Sequence, residues 1–239
     1  MKAVAWVTFF DIVSDRIFVL VIGIALFVGG LGFLASELMV IDPGRVIIDM
    51  GLAACGLSSA LLAVIFGPGI IAQEAERRTW DLAFACRMRP LSFLAAKLGG
   101  LGAVISIHHV SLGFLLGLCI WGFGLSCSWV ALGTSLLLLW VQACVIASYG
   151  IFFATIMTRS LASMATVAVF FLGHAHQELE RFFGWPSKLV AHFSSYALDG
   201  SLFYHGLPCT GGLFFVLVQA CAIVLFLTSL ASWTVRRKF

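Results

Sequence analysis

Six apolar segments follow one another along the chain, and they constrain its fold more than any other feature. These segments cover residues 17–38, 46–71, 92–121, 129–157, 161–173 and 211–235. A helix needs about 20 mostly apolar residues to cross a bilayer. Hydrophobic residues make up 62% of the chain and charged residues only 10%, which leaves too few polar side chains to cover a soluble domain. The sequence therefore predicts an all-α membrane protein.

The fifth segment decides how many times the chain crosses. Its apolar run is too short to span alone, so a crossing requires that it continue through His174–Glu180. Cytoplasmic loops are enriched in Lys and Arg. Six spans with a cytoplasmic N-terminus leave only Arg45, Arg181 and Lys188 of the 14 Lys and Arg outside, whereas five spans would export the terminal Arg236-Arg237-Lys238 cluster. We therefore predict a single transmembrane domain, 1–239, with both termini cytoplasmic and six spans at 17–38, 46–71, 92–121, 129–157, 161–180 and 209–235.

The residues before the first span indicate a helix of a different kind. Over residues 3–14, apolar side chains such as Trp6 and Phe10 alternate with Thr8, Asp11 and Ser14. Acidic residues interrupt the region where the uninterrupted apolar core of a signal peptide would lie. The pattern favours a short helix that lies along the inner membrane interface.

The most highly charged loop, 74–90, joins the second and third spans. Apolar Trp80, Phe84 and Met88 recur every four residues, Thr79 is a suitable N-cap, and Pro90 ends the pattern. A short amphipathic helix is predicted here. It either packs beneath its own bundle or offers a docking surface for a cytoplasmic partner, with the aromatic side chains as anchors and the arginines as rim.

Four sequence segments around this loop are similar to those of one known family. They are Asp49-Met50-Gly51-Leu52 through Gly67, Glu74-x-Glu76-Arg77-Arg78-Thr79-Trp80, Arg89-Pro90-Leu91-Ser92 and Lys97-Leu98-Gly99-Gly100. With these segments and its layout of spans, the chain resembles the membrane subunit of type-2 ABC exporters. It departs from the family pattern at Phe93, where an arginine commonly follows the serine, and at Ala96, where glycine usually precedes the lysine.

The resemblance implies a machine built from several chains. Two permease copies or paralogues would form a dimer in the bacterial inner membrane, and two cytoplasmic ABC ATPase subunits would each grip one coupling helix. The chain has no G-x-x-x-x-G-K-[ST] motif, so ATP and Mg would bind the partner, and this subunit would hold no cofactor and catalyse no reaction itself. The residues expected to couple to the ATPase are Glu74, Glu76, Arg77, Arg78, Thr79, Trp80, Asp81, Phe84, Arg87, Met88, Arg89 and Pro90.

Polar residues within the spans are candidates for a substrate path. His108 and His109 lie far from either end of the third span, while Glu37 closes the first span and Asp49 opens the second. The histidines are interpreted as neutral core side chains, as substrate or proton contacts, or as haem ligands. Glu37 and Asp49 are interpreted either as hydrated end groups or as part of the path. A bundle with so few internal charges favours a lipidic, amphipathic or peptide substrate.

The segment between the fifth and sixth spans has two interpretations. Residues 181–207 are similar in position and length to the outer gate of the family, a short re-entrant segment. Its interfacial anchors would be Trp185, Phe193, Tyr196, Phe203 and Tyr204. His174, His176 and Glu178 suggest a metal site only weakly, because on a helix His174 and Glu178 align but His176 does not. No metal site is predicted.

Two other functions are compatible with the same sequence. A membrane scaffold would recruit a cytoplasmic partner through residues 74–90 without transporting anything, and a redox subunit would bind haem through the histidines. Membrane lipid is an expected partner of the chain in each case, and nucleic acid is not.

Overall fold

The computed structural model describes residues 2–38, 43–76, 88–125, 127–174 and 210–238, and within these ranges it contains seven helices and no strand. The helices are α1 (Lys2–Val13), α2 (Arg16–Leu38), α3 (Pro43–Glu76), α4 (Pro90–Gly122), α5 (Trp129–Ile156), α6 (Arg159–His174) and α7 (Thr210–Lys238). Asp15 caps α2, because its Oδ1 accepts a hydrogen bond of 2.9 Å from the Ile17 amide. Pro90 opens α4 at a position where its missing amide hydrogen is not needed.

Five of these helices, α2, α3, α4, α5 and α7, are long and apolar enough to cross a membrane by their length and composition. The prediction of an all-α, multi-pass membrane protein is confirmed at this level. The helix α6 has 16 residues and is about 24 Å long, short of the roughly 30 Å of a hydrocarbon core. The predicted fifth span, 161–180, also needs residues 175–180, which lie outside the described residues. Whether the chain has six spans and not five therefore stays a prediction.

Helix α3 is the centre of the bundle and packs most extensively against α5. The two backbones approach closely because small residues face each other across the contact. A Cβ added at Gly67 would lie 3.1 Å from the carbonyl oxygen of Ala147, and one added at Gly150 would lie 2.7 Å from Cδ of Pro68. The helix continues through Pro68 to Glu76, so its last turns extend past the predicted end of this span at residue 71 and into the predicted loop.

Helix α1 lies against α4, as a separate helix before the first long one. The contact is close at Gly100, where an added Cβ would lie 2.7 Å from the Ala5 carbonyl oxygen and 2.9 Å from Cβ of Thr8. On the other side of α1, Trp6 and Phe10 are 64% and 48% exposed and their rings contact edge to face. An aromatic face of this kind suits a membrane interface, and the interfacial position of residues 3–14 stays a prediction.

An apolar cluster lies at each end of the bundle. The Glu74 end, where α3 ends and α4 and α6 begin, holds an apolar cluster that includes Ile71, Leu94 and Val235. A hydrogen bond of 2.8 Å between the hydroxyls of Thr155 and Thr234 joins α5 to α7 there. The opposite end is called here the Phe123 end, and a second apolar cluster there packs together Ile48, Leu52, Leu116, Ile120 and Leu132. At the Glu74 end, Val235 of α7 and Leu94 of α4 belong to the same cluster, so the last turns of α7 lie near the first turns of α4.

Candidate functional site

A buried ion pair connects the end of α3 to the first turns of α4. The Lys97 Nζ lies 2.6 Å from Oε1 of Glu74, with the lysine side chain 5% and the glutamate side chain 22% exposed. Phe93, one turn before Lys97, places its ring 5.6 Å from the same ammonium group, close enough for a cation–π contact. Since burial of an unpaired charge is strongly unfavourable, the pair holds the two helices in one relative position.

The ion pair lines a small polar cavity of about 90 Å³ at the Glu74 end. Asp11 of α1, Asp15 before α2 and Arg159 at the start of α6 also line it, together with Gln73 of α3. The cavity thus holds three carboxylates and two cations, and it is large enough for ordered water. Charged groups from α1, α3, α4 and α6 meet here, so a displacement of any one of these helices alters the electrostatic contacts of the others.

The Arg159 side chain brings α6 into this arrangement. A Cβ added at Gly69 would lie 3.6 Å from a guanidinium nitrogen of Arg159. The guanidinium therefore lies within van der Waals reach of α3 at this position. Arg159 is the first residue of α6, so its side chain links the start of this helix to α3.

His108 forms the second polar feature, in the middle of α4. Its Nε2 lies 2.7 Å from Oγ of Ser58 on α3, and the His108 side chain is 1% exposed. The Ser58 hydroxyl in turn lies 2.7 Å from the carbonyl oxygen of Ala54, to which it donates. Ser58 then accepts from an Nε2–H of His108, and His108 Nδ1 is left as an acceptor without a partner among the described residues. The bond ties α3 to α4 at mid-depth.

His109 has the opposite tautomer. Its Nδ1 lies 3.0 Å from the carbonyl oxygen of Ile105. Because a carbonyl only accepts, Nδ1 carries the hydrogen and Nε2 is the bare acceptor. Within the described residues this buried Nε2 has no hydrogen-bond partner. The two rings are nearly perpendicular, with centroids 6.1 Å apart, so the adjacent histidines face different surroundings.

An apolar cavity of about 320 Å³ lies between α2, α3 and α4. It reaches from Ala25 and Ala54 near mid-depth to Phe33 and Phe123 at the Phe123 end. Its walls are formed by aliphatic, aromatic and cysteine side chains and by the backbone of glycines, and charged side chains are missing from this lining. A space of this size and character accepts a hydrocarbon chain.

The predicted coupling residues fall partly within the described residues. Glu74 and Glu76 form the end of α3, Met88 and Arg89 precede α4, and Pro90 begins it. The remaining coupling residues, Arg77, Arg78, Thr79, Trp80, Asp81, Phe84 and Arg87, lie outside the described residues, as does the predicted helix on which they are placed. Of the coupling residues that the structure describes, it brings Glu74 to Lys97, a contact that no sequence pattern indicated.

The predicted path residues are not gathered in one place. His108 and His109 are buried in α4, whereas Glu37 is exposed in the last turn of α2 and Asp49 is half-buried in the first turns of α3. Neither acidic residue lines the apolar cavity between α2, α3 and α4. His174 ends α6. The other weak metal candidates, His176 and Glu178, and the predicted gate residues Trp185, Phe193, Tyr196, Phe203 and Tyr204 lie outside the described residues.

Three residues of the site escaped sequence reasoning. Ser58 is one of several serines in an apolar segment, and nothing local distinguishes it as the partner of His108. Arg159 contributes to the charge distribution that indicates topology. Asp15 interrupts the apolar pattern before the first span. Neither role indicates a partner. A charged residue close to the end of an apolar segment was the available signal, since such residues pair with one another when they are buried.

The chain was compared with known proteins. No family model matches it, and no curated protein matches it.

Proposed function

We propose that the chain is the permease subunit of an ATP-driven ABC exporter in the bacterial inner membrane. It acts as a dimer with a second copy or a paralogue, and a separate cytoplasmic ATPase supplies the energy. The Glu74 end is the cytoplasmic end in this proposal, and both termini lie there. The observation that carries the proposal is the buried Lys97–Glu74 pair, which connects the two helices that flank residues 77–87.

The pair gives a mechanical role to the segment between those helices. An ATPase that grips residues 77–87 pulls on the last turn of α3 and, through Met88 and Arg89, on the first turn of α4. Because the ion pair resists separation of these two turns, the displacement is passed on to the bundle as a whole. ATP drives the change only if it binds one conformation of the complex more tightly than the other.

The substrate favoured by the cavities is apolar or amphipathic. The cavity of about 320 Å³ between α2, α3 and α4 has an uncharged lining. A highly charged substrate would lose its hydration there without gaining a partner. A lipid or an apolar peptide loses little hydration in the same space.

Purification of the chain from its native membrane, followed by reconstitution into proteoliposomes, tests the proposal. We expect an ATPase subunit with a G-x-x-x-x-G-K-[ST] motif to co-purify and to hydrolyse ATP in a vanadate-sensitive way. Trp80→Ala and Arg87→Glu should reduce co-purification and ATP hydrolysis while leaving the amount of chain in the membrane unchanged. Gly99→Ala is the matched control, because an added Cβ there meets nothing within 4 Å.

The alternatives give different results in the same preparation. A scaffold retains its partner, but ATP with vanadate does not change the susceptibility of the chain to proteolysis. A haem subunit shows a Soret absorption band. If no such ATPase co-purifies, or if both variants retain full co-purification and hydrolysis, the exporter proposal is wrong.

A further inference from the structure

A groove on the outside of the bundle carries an inference that does not depend on an ATPase. The groove has a volume of about 430 Å³ and lies between α4, from Ser106 to Phe114, and α5, from Leu136 to Trp140. Val110 and Phe114 on its rim are 71% and 68% exposed. His109 lies 19 positions into α4 from Pro90, about 29 Å along a helix of 33 residues. His109 therefore lies at a depth that suits the hydrocarbon region of a membrane, and the groove opens sideways toward that region.

The polar groups of this groove share one property: their donors are already used. The Ser106 hydroxyl donates to the carbonyl oxygen of Gly102 at 2.7 Å, and the Trp140 indole N–H lies 3.4 Å from the same oxygen. The His109 Nδ1–H donates to Ile105. What remains are acceptors, namely Oγ of Ser106 and Nε2 of His109.

The His109 Nε2 is the acceptor that most needs a partner. The His109 side chain is 5% exposed, and Nε2 has no hydrogen-bond partner among the described residues. A buried acceptor without a partner is destabilising, and hydrocarbon surroundings supply no water to it. In the structure Nε2 itself is covered, so a ligand reaches it through a side-chain adjustment of the kind that binding commonly involves.

We propose that this groove binds a neutral membrane hydrophobe that bears a hydroxyl group, such as a long-chain alcohol. The hydroxyl donates to His109 Nε2, and the hydrocarbon body lies against Val110, Phe114 and Leu137. A phospholipid does not fit this description, because its charged headgroup remains at the interface, about 15 Å from the bilayer centre. An amine does not fit either, because its charge would be buried without a carboxylate nearby.

The test uses two photoactivatable probes that differ in one hydrogen-bond donor. A diazirine-bearing hexadecanol and its O-methyl ether are incubated separately with the purified full chain in nanodiscs, and the cross-linked peptides are identified by mass spectrometry. We expect the alcohol to label the 106–114 and 136–140 regions about ten times more strongly than the ether at equal concentration. His109→Phe should abolish this preference, since it keeps the aromatic ring and removes the acceptor.

Two further variants keep the outcome interpretable if His109→Phe does not fold. Val110→Trp narrows the groove and leaves His109 intact, so it should reduce labelling by the alcohol at least fivefold. Ser111→Ala is the matched control, because Ser111 is on the same helix, is exposed, and among the described residues bonds only to the carbonyl of His108 in its own helix. Equal labelling by the alcohol and the ether, or alcohol labelling that Val110→Trp leaves unchanged, overturns the proposal.

Discussion

The Lys97 ammonium and the Glu74 carboxylate form a 2.6 Å ion pair between two helices that are separated in sequence by residues 77–89. Glu74 lies near the end of α3 and Lys97 lies in the first turns of α4, so the ion pair joins the two helices on either side of this connection. It also adjoins the polar cavity that Asp11 and Arg159 line. The relative position of α3 and α4 at the Glu74 end thus depends on this charge pair, and the dependence can be measured.

Removal of either charge should destabilise the bundle. Lys97→Met leaves the Glu74 carboxylate, which is 22% exposed, without its cation. We expect a loss of about 2 kcal/mol, less than the roughly 3–5 kcal/mol of a fully buried pair, measured as a lower free energy of unfolding in detergent. Glu74→Gln should act similarly, and the exchange Lys97→Glu with Glu74→Lys should recover part of the loss. An exchange variant no more stable than the single variants would show that the pair does not couple α3 to α4.

Two adjacent buried serines provide a matched comparison for the His108 bond. Ser58 bonds to His108 on another helix, whereas Ser59 donates to the carbonyl of Gly56 within its own helix α3 and to no other group that the structure describes. Ser58→Ala leaves the His108 Nε2–H without an acceptor, so it should reduce stability by about 1 kcal/mol more than Ser59→Ala. Thermal unfolding of the two purified variants measures the difference. Equal destabilisation would mean that the interhelical bond contributes nothing.

The contact between α3 and α5 should be sensitive to a single methyl group. At Gly150 an added Cβ lies 2.7 Å from the rigid Pro68 ring, so Gly150→Ala should cost about 1–3 kcal/mol through overpacking. Gly133 is on the same helix, and an added Cβ there meets nothing within 4 Å. Gly133→Ala should be neutral or stabilise by up to about 1 kcal/mol. The melting temperatures of the two variants are compared. If Gly150→Ala is as stable as Gly133→Ala, the close contact between Gly150 and Pro68 is wrong.

The predicted orientation can be tested with thiol labelling in intact cells. Cys127 lies between α4 and α5 beyond the Phe123 end. A variant that retains only this cysteine should react with a membrane-impermeant maleimide added outside. A cysteine-free variant carrying Ser14→Cys should react only after the membrane is permeabilised, because Ser14 lies between α1 and α2 at the other end. The reverse pattern would invert the proposed topology.

The same cysteine predicts a pH dependence. Partial burial raises the pKa of the Cys127 thiol. The thiolate is the reactive form, and a raised pKa keeps the thiol protonated to higher pH. The labelling rate of Cys127 should therefore be lower than that of an exposed cysteine at pH 8 and should continue to increase after the exposed cysteine has reached its plateau. Ser14→Cys serves as that exposed reference, since Ser14 is exposed. Identical pH profiles would show that burial does not affect this thiol.

Long apolar segments made the helices predictable. The bounds of α2 differ from the predicted 17–38 by one residue, and those of α5 differ from 129–157 by one residue as well. The end of α3 was less predictable, because Glu74 and Glu76 are charged and fall within the predicted loop 74–90. In the structure the helix continues to Glu76, and Glu74 meets Lys97. Tertiary pairing of a charge outweighed the local polarity.

The sequence by itself determined that this chain forms apolar helices that suit a membrane, because apolar length and composition depend only on the order of residues. It also singled out His108, His109 and the charged residues near residues 74–90. Only the tertiary structure decided which groups meet, such as Ser58 with His108, Glu74 with Lys97 and Pro68 with Gly150. These partners are on different helices, and their contacts depend on how the helices rotate and approach, which the periodicity of a single helix does not specify.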